Sequence, residues 1–153
     1  MKNFRSPLAR LRERFKSTRT PSLDIDDPEL RTVVEAFDET EAASGALGRS
    51  TTWNSDRPAV LRHHLAVPAR HVTAVRSLVE QDGWALREQD ARGCPTEDSA
   101  HHDQDRTVTV IALRVQLLDS LHCAQESSRM AGLAQRFRGR ALGWDALQPE
   151  QAG

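Results

Sequence analysis

The chain has 153 residues, of which 38% are hydrophobic and 28% charged, with a formal net charge of −1. That length suits one ordinary domain plus a tail, and the apolar content can bury a core without metal or disulfide staples. No apolar run approaches a membrane span or a signal sequence, and Cys94 and Cys123 are far apart and outside any C-x-x-C pattern; the expectation is a cytoplasmic protein with reduced thiols.

The small net charge conceals two opposed blocks. Lys2, Arg5, Arg10, Arg12, Arg14, Lys16 and Arg19 face only Glu13 in the first twenty residues, a formal +6. Ser6-Pro7 is a helix-start signal, and Phe4, Leu8, Leu11 and Phe15 recur at spacings of four, three and four. Residues 1–20 therefore read as a basic amphipathic helical arm. Leu8, Leu11 and Phe15 supply its apolar anchors, and Arg10, Arg12 and Arg14 its electrostatic steering toward a partner. Thr20-Pro21 ends it. From Ser22 to Gly45 eight acidic residues oppose Arg31 alone, a formal −7. Asp27-Pro28-Glu29 repeats the start signal, and Leu30, Val33, Val34 and Phe37 follow at i, i+3, i+4 and i+7. Residues 21–56 are accordingly expected to hold an acidic helix running to about Ala43, stopped by Gly45 and Gly48, and then a polar linker.

Residues 57–148 form the main domain. Leu61, Leu65 and Val67 alternate with Arg62, His64 and Ala66, which predicts a strand closed by Pro68. Val72, Val75, Leu78 and Val79 give a helical stripe, and "WALREQD" a second short strand. After an aperiodic polar loop, the β-branched run from Thr107 to Leu117 predicts a third strand. Asp119 or Ser120 can cap a helix continuing to about Phe137, with Gly139 ending it, and Arg140 to Leu147 makes the last strand. The order is that of an α+β ferredoxin-like β-α-β-β-α-β sandwich, with two helices on one sheet face and the other face open. Alternation assigns Ile111, Leu113, Val115 and Leu117 to the helix side, and Val108, Val110, Ala112, Arg114 and Gln116 to the open side. Trp144 shares a face with Leu142 and Ala146, and alternation alone leaves it either a core plug or an exposed aromatic.

"RHHLAVP" (Arg62 to Pro68), "DGW" (Asp82 to Trp84) and the terminal "GWDA" (Gly143 to Ala146) together resemble the regulator of ribonuclease activity B family, the ribonuclease E inhibitors, over about residues 57–147. His64 and Ala66 stand where members tend to carry aromatics. The resemblance implies a small ferredoxin-like domain that binds a protein partner, a ribonuclease or another larger assembly, without catalysis.

Candidate chemistry is sparse. His63 and His64 point to opposite strand faces and cannot readily share an ion, while "HHDQD" (His101 to Asp105) reads as a polar loop. His63 falls on the helix side, where a hydrogen-bonded core histidine is the common outcome. His122 and Cys123 are adjacent on a helix and do not face each other. No phosphate loop, nucleophile elbow or zinc-protease motif is present, so neither an enzyme nor a cofactor is expected. The reading is a noncatalytic regulator or accessory protein that binds a partner through the arm, through Arg114 on the open sheet face and through Trp144, whose side alternation leaves open. The alternatives are a small-molecule-binding enzyme that uses that face near Arg87, Arg114 and Trp144, and an RNA-associated protein. RNA and anionic membranes are further candidate partners of the arm, and a second copy is a candidate partner of the sheet.

Overall fold

The chain's clearest alternation, Ala59–Pro68, forms the middle strand of the sheet. The computed structural model describes residues 23–89 and 103–151. The arm expected over residues 1–20 lies outside them, as do Cys94, His101 and His102. The described elements are β1 (Leu30–Ala36), α1 (Ala43–Arg49), β2 (Ala59–Pro68), α2 (Val72–Gln81), β3 (Ala85–Glu88), β4 (Thr107–Gln116), α3 (Ser120–Arg136) and β5 (Arg140–Pro149). They make an α+β fold with one five-stranded sheet of order β1-β5-β2-β4-β3, every neighbouring pair antiparallel.

The strand expected from Leu61, Leu65 and Val67 forms with those three side chains fully buried under the helices. The predicted α2 and α3 also form, and the Asp119 carboxylate caps α3 by accepting the His122 amide at 2.8 Å. α3 buries Cys123, Glu126, Met130 and Ala134. Leu121, expected among its less polar positions, stands 63% exposed.

The segment ahead of β2 departs from expectation. Leu30–Ala36 is a strand at the sheet edge, hydrogen-bonded to β5, and not part of a helix reaching Ala43. The reason is visible in the register. A bulge between Thr32 and Val34 inserts Val33, so apolar residues fall at i, i+3 and i+4 as they would on a helix. The β-branched run Thr32-Val33-Val34 suits a pleated strand, and β5 would otherwise leave an unpaired edge. Asp27-Pro28 is a turn, with the Asp27 carboxylate accepting the Glu29 amide at 2.9 Å. Gly45 and Gly48 lie inside α1, where helix ends were expected. The presumed linker is fastened to the domain: buried Gln148 accepts the Asn54 amide at 2.9 Å and donates to the Asn54 and Arg57 carbonyls at 2.9 and 3.1 Å.

Directly opposed residues share a sheet face, which corrects the assignment of β4. Arg114 opposes Leu61, Ala112 opposes His63 and Val110 opposes Leu65, so these β4 residues face the helices. Leu113 and Ile111, opposite Arg62 and His64, face the other side. Both faces of β4 are rich in apolar residues, so alternation shows the two sets without saying which lies inward. Pairing with β2 decides it.

The open face is partly covered. Asp26 is paired with Arg87 on β3, at one edge of the sheet, and Leu30 begins β1 at the other. Arg87 opposes Ile111 and so lies on the open face. The Asp26–Arg87 pair brings the turn ahead of β1 onto this face, where Val60 is fully buried.

If β1 is integral to the sheet, Val34→Ala should destabilise the domain by about 2 kcal/mol through two lost buried methyls. Urea unfolding would read this as a lower midpoint at unchanged slope; an effect below about 0.5 kcal/mol would return this segment to a detached helix.

Candidate functional site

A row of side chains runs under α3. Trp144 opposes His63 across β5 and β2, and the His63 ring meets Trp84 edge to face at 5.3 Å. The Arg114 guanidinium lies 4.1 Å from the centre of the Trp84 ring. It reaches Glu126 of α3 at 2.5 Å and Gln116 at 2.9 Å, and Gln116 donates to Glu126 at 3.0 Å. Arg114, expected on the open face, is thus committed to the helix layer, where its planar group covers an indole and its charge meets the one buried carboxylate of α3.

Trp144 is settled by the same register. It is a core residue, 5% exposed, on the helix side with Ala146. Leu142 does not share its face in simple alternation, because β5 shifts register between Ala141 and Gly143. Gly143 sits at φ +141°, and a Cβ there would come within 2.6 Å of the Ala36 carbonyl and 2.8 Å of Phe37 Cα. Only glycine lets β1 close on β5 at this point, and that closure holds the neighbouring tryptophan inward. Neither Arg114 nor Trp144 is therefore presented on the open face. The remaining predicted contact residues, Leu8, Arg10, Leu11, Arg12, Arg14 and Phe15, lie outside the described residues.

Between α3 and the connection from β1 to α1 is a cavity of about 480 Å³ with His63 and Trp144 among its lining. α3 contributes Ala124, Ser127 and Ala131 to its wall. Two buried polar atoms without a partner among the described residues, His63 Nε2 and Ser127 Oγ, belong to lining residues of this one space. A hydrogen-bonded His63 is the expectation; among the described residues its buried Nε2 has no partner. A second cavity, of about 430 Å³, separates α2 from α3 on the other side, with Trp84, Met130 and Arg129 among its lining.

On the opposite face Arg62, His64 and Asp145 form a compact ionic group. Arg62 grips Asp145 through both Nε, at 2.8 Å, and a terminal nitrogen, and His64 Nε2 lies 3.0 Å from the same carboxylate. Burial opposes ionisation of Asp145, and the hydrogen bonds from His64 and Arg62 outweigh it, so the carboxyl titrates below its ordinary value. Phe37 packs its edge on His64 at 5.1 Å. The paired histidines thus divide as their adjacency requires, one to each face.

The other titratable candidates are structural. Cys123 is buried, and desolvation, assisted by the nearby Glu126 and Asp119 charges, pushes its thiol up to about 12; it stays protonated. His122 pairs with Asp119 at the exposed start of α3. Among the described residues no group of three or more His, Cys, Asp and Glu side chains could hold a metal ion, and no helix is long and apolar enough to cross a membrane. Asp103–Asp105 forms one short turn, with Asp105 paired to Arg70.

No protein-family model matches the chain, and the comparisons with curated proteins and with solved structures return no match. Sequence reasoning reached His63's side of the sheet but missed Ser127, since a serine on an amphipathic helix carries no signal until the facing strand is known.

His63 gives the site a measurable signature. Burial first, then the positive charges of His64 and Arg114, hold its pKa down to about 4 against a smaller opposing pull from Asp145. Unfolded, the ring takes a proton near pH 6.5; folded, it does not until about pH 4. Its contribution to stability is therefore complete above pH 6.5 and is lost as pH falls from 6.5 to 4, by up to about 3 kcal/mol. Urea midpoints measured across that range should fall steeply for the native chain and more shallowly for His63→Phe; parallel profiles would contradict a buried neutral ring.

Proposed function

We propose that this chain is a noncatalytic cytoplasmic regulator or accessory protein with a ferredoxin-like core, which binds a larger protein assembly as ribonuclease E inhibitors do. The core reading is supported by the succession β2-α2-β3-β4-α3-β5 with sheet order β5-β2-β4-β3, to which β1 and α1 are added at one edge.

The observation that carries the proposal is how the acidic block is used. It does not form a helix along which the basic arm could lie. Asp26 is paired with Arg87 and Glu41 with Arg49, while Asp24, Asp27 and Asp38 accept backbone amides in tight turns at 2.8 to 2.9 Å. Two carboxylates of the block are thus ion-paired within the domain and three hold its turns, and the seven basic residues stand ahead of it. A segment of charge +6 with an apolar stripe then has its natural complement in an acidic, partly apolar surface on another protein. Engagement of Cys123, His122 and Arg114 in packing and capping supports a binding role over a catalytic one.

Titrating the purified chain into an RNA-cleavage assay with a ribonuclease E-type endonuclease tests this. Cleavage should slow, and reversing Arg10, Arg12 and Arg14 to Glu together should weaken the inhibition at least about tenfold. Unchanged cleavage at excess protein would remove the ribonuclease as partner, and inhibition that survives the triple reversal would remove the arm's role. Retention of free RNA by the arm, lost steeply with added salt, would favour an RNA-associated protein instead.

A further inference from the structure

Two of the three buried side-chain polar atoms without a partner among the described residues, His63 Nε2 and Ser127 Oγ, come from residues lining the cavity between α3 and the β1–α1 connection. His63 is 2% exposed. A buried donor or acceptor left unpaired is a standing penalty that a matching group removes on entering the space. We propose that this cavity is a binding site for a small aromatic amine, with a ring N–H or O–H directed at His63 and Ser127 and an ammonium group at the mouth.

Each part of that ligand answers to residues on the walls. The sheet wall presents Trp144 and His63, which oppose each other across β5 and β2, and the α3 wall adds the methyl groups of Ala124 and Ala131, which suit a flat apolar body. His63 is neutral at physiological pH, so it takes a hydrogen bond from an uncharged donor and has no charge with which to hold an anion. The Ser127 hydroxyl can donate or accept and so fits either imidazole tautomer. At the mouth stand Asp38, Glu39 and Glu41 against Arg140 alone among the described cationic lining residues. Glu41 is already engaged by Arg49, and Asp38 holds Thr40 through one oxygen, which leaves net negative charge to meet an ammonium group and to repel a carboxylate. The volume, about 480 Å³, lies within the range of small-molecule pockets. This site lies on the helix side of the sheet, goes beyond the partner docking proposed above and does not depend on it.

Tryptamine is a suitable probe and indole-3-acetate its anionic counterpart with the same ring. In NMR titrations of the full chain, tryptamine should shift the Trp144 indole N–H and the His63 ring signals saturably, with Kd on the order of 0.1 to 1 mM for a ligand of this size. Indole-3-acetate should bind at least about tenfold more weakly, and Ser127→Ala, a substitution a helix tolerates well, should weaken tryptamine at least about fivefold. Equal affinity for the two probes, no saturable shift up to about 5 mM, or a crystal structure grown with tryptamine in which ordered waters still join His63 and Ser127 would overturn the proposal.

Discussion

The fold turns on one strand held from both sides. β2 is paired along its length with β4 and with β5, both antiparallel, and because side chains alternate across a strand, its register fixes which residues of all three strands lie under the helices. His63 goes inward and His64 outward. With that choice made, Ala112 and Trp144 must flank His63 on the inner face, and Leu113 and Asp145 must flank Arg62 on the outer one. Neither arrangement survives a shift of one residue.

The two faces then carry different chemistry separated by the thickness of a backbone. Outside, Arg62 and His64 surround Asp145 and keep it ionised. Inside, His63 sits between two tryptophans and stays neutral, partly because the positive charges of His64 and Arg114 oppose its protonation. His63 Nε2 and Ser127 Oγ are both buried without a partner among the described residues. The same layer locks Arg114 between Trp84 and Glu126.

Much of the domain was legible in the sequence. The alternation of Leu61, Leu65 and Val67, the α2 stripe and the Asp119 cap of α3 each carry a local signal, and each forms where expected. What could not be read were matters decided between elements. The Leu30–Ala36 strand presented helical spacing because its bulge interrupts alternation. β4 offered two apolar faces, and only opposition to β2 shows that Arg114 points inward. Trp144 was visible as bulk in a plain setting, yet its side depended on Gly143 permitting close approach of β1, a contact more than a hundred residues away in sequence. The cavity was less legible still, since its two polar groups lie on elements whose facing is set by the register.

The position of His63 decides the facing of all three middle strands, and the set of NOEs from each histidine ring measures it. His63 should show contacts to the indole protons of both Trp84 and Trp144, while His64 contacts Phe37 and neither indole. If His64 shows the indole contacts, β2 is slipped by one residue, and the faces, the ionic group and the cavity assigned here are all misplaced.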